Sequence, residues 1–167
     1  QAGIEDAYLR ENEVGIIFGN DENTYVNEYL NIMDEEQDSY LLGPNAVFRS
    51  SISSPTMNLS TIFHLKGINF CVSAACASSS HAIGLATMFI RQGLQNMILV
   101  GGSCSVDMKS SVGMDAVAAI SLRNIDPLFA SRPFDTGRDG MIPSGGAAAL
   151  VLEEYEHAVA RGATILA

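Results

Sequence analysis

Basic residues are scarce in this chain: nine Lys and Arg stand against nineteen Asp and Glu, a formal charge of −10 over 167 residues. Nucleic-acid binding needs a cationic surface that displaces phosphate counterions, and no basic stripe exists to form one. Cysteine is also sparse. Three of them, an odd number without CxxC spacing, argue against a disulfide framework or a zinc site and suit a reducing compartment, so a cytoplasmic location is expected. The opening QAGIEDAYLRENE lacks the basic start and apolar stretch of a secretory signal and reads as an internal piece. The longest run without Lys, Arg, Asp or Glu, Gly67 to Ile90, is interrupted by Ser73, by Ser78, Ser79 and Ser80, and by His81. It therefore reads as a buried strand and helix rather than a membrane span. Asn58-Leu59-Ser60 fits the glycosylation pattern but would need a secreted context. GxSxG, GxxxxGK[ST] and GxGxxG are all missing, the nearest miss being Gly101-Gly102-Ser103-Cys104-Ser105. An elbow serine and a nucleotide anchor are thereby excluded. Metal-ligand spacing is missing too, and neither metal nor cofactor is expected.

What remains is a well-buried globular composition, 47% hydrophobic and 17% charged, of a length that suits one domain spanning residues 1–167. The acids are unevenly placed. Residues 1–38 hold Glu5, Asp6, Glu11, Glu13, Asp21, Glu22, Glu28, Asp34, Glu35, Glu36 and Asp38 against Arg10, and the remainder is balanced. Such a run reads as a solvated helix face and loop or as an acidic partner surface.

Apolar runs and turn residues alternate. Strands are expected at Val14 to Phe18, Ile68 to Ala74, Met97 to Val100 (ended by Gly101-Gly102), Ala147 to Leu152 and Thr164 to Leu166. Helices are expected at Tyr25 to Met33, Ser53 to Lys66, Ser78 to Gln92, Lys109 to Ile120 and His157 to Arg161, with an irregular loop from Asp126 to Gly140. Strands separated by helices, several of them uniformly apolar, predict an α/β layered fold around a mainly buried sheet.

Chemistry concentrates in Ile68 to Gly84, where a strand enters a turn of small residues and Cys76 lands at or near the first turn of a helix. Unpaired backbone N–H groups and the positive end of the helix dipole favour an anion there, so the thiol should ionise more readily than a free cysteine at ~8.5. The same donors suit the oxygen that turns negative when a thioester carbonyl is attacked. Two readings of Cys76 stand side by side: an activated nucleophile, and a small buried apolar residue. Cys71, inside its strand, reads as packing, and Cys104, after the glycine pair, has no helix start to support it. A base is not evident. His81 lies five residues past Cys76, about 140° round a helix of ~100° per residue, and His64 and His157 are distant in sequence.

Ser73-Ala74-Ala75-Cys76-Ala77-Ser78-Ser79-Ser80-His81-Ala82-Ile83-Gly84 resembles the active-site cysteine segment of β-ketoacyl-acyl carrier protein synthases, the condensing enzymes of fatty acid and polyketide synthesis. Ala130-Ser131-Arg132-Pro133-Phe134-Asp135-Thr136-Gly137-Arg138-Asp139-Gly140, with Gly145-Gly146 and Val151-Leu152-Glu153-Glu154 beyond it, is similar to the loop and strand that follow in that family. Gly145 reads as nearer to the type I synthases than to the type II pattern, which usually has Glu there. The resemblance implies a thiolase-like fold, present here as part of its N-terminal half, with Cys76 taking the acyl chain as a thioester. A malonyl carrier thioester would then decarboxylate and attack it. It implies acyl carrier protein as partner and a homodimer paired through Gly67 to Ala74. In the family the two histidines that assist decarboxylation belong to the C-terminal half, so His64, His81 and His157 take no such role and the isolated chain is expected to be inactive. Met114 sits where the family often has an aromatic lining the acyl pocket. Asp34-Glu35-Glu36 lies near where some relatives place basic residues that dock the carrier. Arg132, Arg138 and Asp139 are expected to brace their loop through ion pairs. Two other readings share the scaffold: a non-catalytic, chain-length-determining partner subunit of a polyketide-type heterodimer, which usually replaces the cysteine, and a thiolase-like acyltransferase or decarboxylase.

Overall fold

The computed structural model describes residues 2–21, 23, 25–106 and 108–167; Glu22 of the acidic stretch lies outside the described residues. In chain order the elements are α1 (Asp6–Glu11), β1 (Gly15–Gly19), α2 (Tyr25–Glu36), α3 (Ala46–Arg49), α4 (Ser54–Phe63), β2 (Asn69–Val72), α5 (Ser78–Arg91), β3 (Met97–Cys104), α6 (Met108–Ala116), β4 (Gly146–Glu153) and α7 (Tyr155–Ala160). Short 3₁₀ turns occupy Ser39–Leu42, Ala75–Ala77 and Pro127–Phe129. The chain divides into two compact units, one of Gln1–Asp21, Pro44–Ser103 and Ala147–Ala167, the other of Glu22–Gly43 and Cys104–Gly146.

The first unit is built on a sheet of order β2-β1-β3-β4, with β1 parallel to both neighbours. Ile16 pairs with Asn69 and Leu99, and Phe18 with Cys71 and Gly101. A central parallel strand is covered on both faces, which is why Gly15 to Gly19 is uninterruptedly apolar and buried. On one face lies α5. Its small residues Ser78, Ala82 and Ala86, four apart and so on one side of the helix, are buried against the sheet. Ile17, Ile98 and Val100, none with exposed surface, form the core with Ala82 and Ala86, and Phe70, Val72, Phe89 and Leu152 pack around it. Burying a Val or Ile side chain fully contributes ~1.5–3 kcal/mol each. Strand alternation turns Met97, Leu99 and Val151 to the opposite face, where they line an apolar cavity of about 510 Å³ together with Leu9, Phe63 and Leu65.

Several boundaries differ from expectation. α4 ends at Phe63 because His64 turns left-handed at φ 55°, its N–H donating to the Ser60 carbonyl. β3 does not stop at Gly101-Gly102 but runs through both glycines to Cys104. α7 starts earlier than His157, the Glu154 carboxylate accepting from the His157 N–H at 2.7 Å. Thr164 to Leu166 forms no strand. An apolar β-branched stretch becomes a strand only where a sheet edge receives its backbone groups.

In the second unit, α6 ends at Ala116, short of the expected Ile120, and Ala118 reverses the backbone at φ 55°. Ile120 then bridges Met141 in parallel. The loop from Asp126 to Gly140 is irregular, as expected, apart from one 3₁₀ turn. Ser121 Oγ donates to Asp139 Oδ1 at 2.7 Å, Arg132 Nη2 lies 4.0 Å from the same oxygen, and Arg138 Nη1 donates to the Asp135 carbonyl at 2.9 Å. Held first by Ser121 and also by Arg132, the Asp139 carboxyl stays below its ordinary range.

Candidate active site

β2 delivers the chain to Ser73, whose hydroxyl donates to the Asp21 carboxylate beyond the end of β1. Ala75 then adopts φ 47°, a left-handed backbone that a residue with a Cβ enters at a cost of about 1–3 kcal/mol. Ser78 holds this bend. Its Oγ accepts from the Ala74 N–H at 2.8 Å and donates to the Ala75 carbonyl at 2.7 Å, tying both sides of the strained residue to the start of α5. Cys76 sits within the 3₁₀ turn so formed, two residues ahead of α5, and is exposed.

The helix start is pressed onto the sheet. A Cβ on Gly19 would lie 2.4 Å from the Ser79 nitrogen, and one on Gly102 would lie 1.9 Å from Ser79 Oγ. Glycine at these two strand positions is what lets the first turn of α5 approach the backbone of β1 and β3. Cys76 is thus mounted on a rigid junction while its thiol stays open to solvent.

The other sequence candidates fall elsewhere. Cys71 is half-buried in β2 with its Sγ 3.9 Å from the Asn20 carbonyl, and burial pushes its thiol up from the ordinary value. Cys104, at the end of β3, is exposed and belongs to the second unit, its Sγ 3.3 Å from the Ser105 carbonyl. Met114 is half-buried on α6, also in the second unit. His81 is exposed on α5, His64 caps α4, and His157 is engaged by Tyr8 and Glu153 through its two ring nitrogens. Ala75, Ser78, Gly19 and Gly102 are the supporting residues that sequence reasoning passed over as supports. A Ser at the first position of a helix was their one legible signal. Among the described residues no three His, Cys, Asp or Glu side chains gather into a metal site, and no helix is long and apolar enough to cross a membrane.

Residues 1–158 match the sequence profile of the family described as beta-ketoacyl synthase, N-terminal domain. The chain belongs to the β-ketoacyl synthase family. It is 36% identical to 3-oxoacyl-[acyl-carrier-protein] synthase 1 of Haemophilus influenzae over 172 residues, which is 98% of this chain and 42% of that protein. A β-ketoacyl synthase from Burkholderia phymatum superposes with a TM-score of 0.84 at 34% identity, over 96% of this chain and 40% of that one. The ketosynthase of a type II polyketide system, solved in complex with its acyl-carrier protein, superposes at 0.79 with 26% identity, over 91% of this chain and 39% of that one. The chain spans about two fifths of the length of the relatives it matches. Its mixed α/β architecture is the thiolase-like ketosynthase fold, present in part. In ketosynthase terms, the strand–turn–helix that carries Cys76 and the loop around Arg132 are the two segments whose resemblance pointed to this family from the sequence.

Proposed function

We propose that this chain is part of the N-terminal domain of a ketosynthase in which Cys76 is the nucleophile of a decarboxylative Claisen condensation, in fatty acid or polyketide synthesis. The observation that carries this reading is an exposed thiol on a strained, Ser78-braced turn between β2 and the first turn of α5. The small side chains of Ala74, Ala75 and Ala77 leave room beside the sulfur for a thioester.

The Cys76 thiolate adds to the carbonyl of an acyl carrier thioester. The new C–S bond forms as the carrier's C–S bond breaks, and the carrier sulfur leaves as a thiolate that takes up the proton Cys76 released on ionising. Backbone N–H groups at the head of α5 hydrogen-bond the oxyanion of that step. A malonyl carrier thioester then loses carbon dioxide, its α-carbon attacks the Cys76 thioester, and the C–C bond forms as the cysteine sulfur is expelled. Groups that assist decarboxylation come from the part of the enzyme outside this chain, so these 167 residues alone are inactive. Acyl carrier protein delivers both substrates, Met114 lines the acyl pocket, the enzyme works in the cytoplasm, and its protomers pair through the outer edge of β2. Retention of Cys76 favours this reading over a non-catalytic partner subunit.

In the complete enzyme, incubation with an acyl carrier thioester followed by peptide mass spectrometry places the acyl group on Cys76 and leaves Cys71 and Cys104 unmodified. Cys76→Ala abolishes condensation. Equal labelling of the three cysteines, or product formation by Cys76→Ala, overturns the assignment.

A further inference from the structure

Far along the chain from Cys76, four side chains that its chemistry does not use form one linked cluster: Glu153, Arg161, His157 and Tyr8. Glu153, at the end of β4, keeps only 7% of its side chain exposed. Arg161 donates to it twice, Nε to Oε1 and Nη2 to Oε2, each at 2.7 Å. His157 Nδ1 lies 2.5 Å from Oε1, and its Nε2 lies 3.1 Å from Tyr8 Oη on α1. The Arg161 guanidinium also reaches the Ala2 carbonyl at 3.4 Å from both terminal nitrogens. These contacts join the two ends of the chain, 149 and 159 residues apart in sequence.

Elsewhere the segment they hold is tied by Lys66 Nζ, which donates to the Arg10 carbonyl, and by the partial burial of Ile4 and Leu9. α1 contains no buried residue, and its ion pair, Arg10 Nε to Asp6 Oδ2 at 2.7 Å, is exposed and internal. Beneath it lies the apolar cavity of about 510 Å³, with Ile4 and Leu9 on the segment's side and Met97, Leu99 and Val151 on the sheet's.

We propose that Glu153 is the hub of a clasp that holds Ala2 to Glu11 as a strap across this apolar face, and that neutralising the carboxylate frees the strap while α5 and its core stay in place. The ionisable groups facing Glu153 are Tyr8 from α1, His157 from α7 and Arg161 just past its end; Glu154 is turned to the His157 N–H. Burial alone would raise the Glu153 pKa, but hydrogen bonds from Arg161 and His157 outweigh it and hold the carboxyl below its ordinary 4.5. The clasp is therefore complete above that value and is lost as pH falls through the lower, folded one. Burial and the Glu153 charge raise the Tyr8 pKa from its ordinary value.

Hydrogen exchange on the complete enzyme at neutral pH tests this. In Glu153→Gln the amides of Leu9 to Asn12 lose ~10-fold or more of their protection, while those of Ala82 to Ile90 keep theirs. Tyr8→Phe, which leaves the buried carboxylate and its Arg161 partner intact, produces a smaller loss in the same amides. Unchanged protection of the strap in Tyr8→Phe and Glu153→Gln overturns the proposal. So does a loss shared equally by α5, which would make Glu153 a support of the whole core. Should Glu153→Gln fail to fold, Tyr8→Phe decides alone: loosening confined to the strap upholds the clasp, and no change refutes it.

Discussion

Ala75 is the residue on which the geometry of Cys76 turns. With φ at 47° it lies where side chains branched at Cβ are not tolerated, and the Ser78 hydroxyl donates to its carbonyl while accepting from the Ala74 N–H before it. Ala75→Val is expected to destabilise the chain by about 1–3 kcal/mol, read as a lower urea midpoint at unchanged slope. An unchanged midpoint would show that the turn relaxes to φ below zero without consequence. This strain was invisible in the sequence. A run of Ala, Cys and Ser specifies a tight turn but not which residue takes the left-handed backbone, because that depends on where β2 and α5 are anchored. Cys76 itself was legible, since a thiol between an apolar strand and a small-residue helix is a local pattern. Glu153, His157 and Arg161 were not read as a unit, because Glu153 ends β4, His157 lies on α7, Arg161 follows it, and their fourth member, Tyr8, is 149 residues from His157 in sequence.

At the scale of elements, the contact between the head of α5 and the sheet depends on two missing side chains. Gly19 and Gly102 read as ends of strands, and for Gly19 that is where β1 stops. Gly102 instead lies inside β3, where its lack of a Cβ admits Ser79 rather than breaking the ladder. Turn propensity and close approach use the same residue, and only the packed helix distinguishes them. Because the atom facing Gly19 is backbone, Gly19→Ala forces α5 away from β1. A cost of ~1–3 kcal/mol is expected, measured by urea unfolding, and, on the mechanism proposed above, slower acylation of Cys76 in the complete enzyme. Stability equal to the parent chain would show that the seat is not tight. The helices were legible where an apolar stripe repeats, as in α4 and α5. Their ends were less so: α4 stops at a left-handed His64, a conformation more often taken by Gly, and nothing local announces it.

At the scale of the whole molecule, β2 is an edge strand that pairs only with β1 in the sheet order. The carbonyls of Ile68 and Val72 accept from Ile16 and Asn20, so the alternate residues Asn69 and Cys71 turn their own N–H and C=O groups outward. An outward ladder of this kind is open to a second strand. If the proposed dimer pairs here, Asn69→Pro removes one outward donor per protomer without breaking a bond to β1. About tenfold weaker dimerisation of the complete enzyme is then expected by analytical ultracentrifugation. An unaltered dimer would place the interface elsewhere. Large hydrophobic side chains are also exposed on the second unit, Ile125, Phe134 and Tyr40 foremost.

The sequence by itself determined the alternation of strand and helix, the buried character of β1, the family, and Cys76 as the group to watch. Each follows from residue types in local order: apolar runs, small residues at a turn, a thiol before a helix. Tertiary structure decided which glycine is a seat and which an end, which alanine bears the strain, and that His157 and Arg161, the two partners of Glu153, also hold Tyr8 and Ala2. Those facts arise from distances between segments far apart in sequence, which no local pattern encodes.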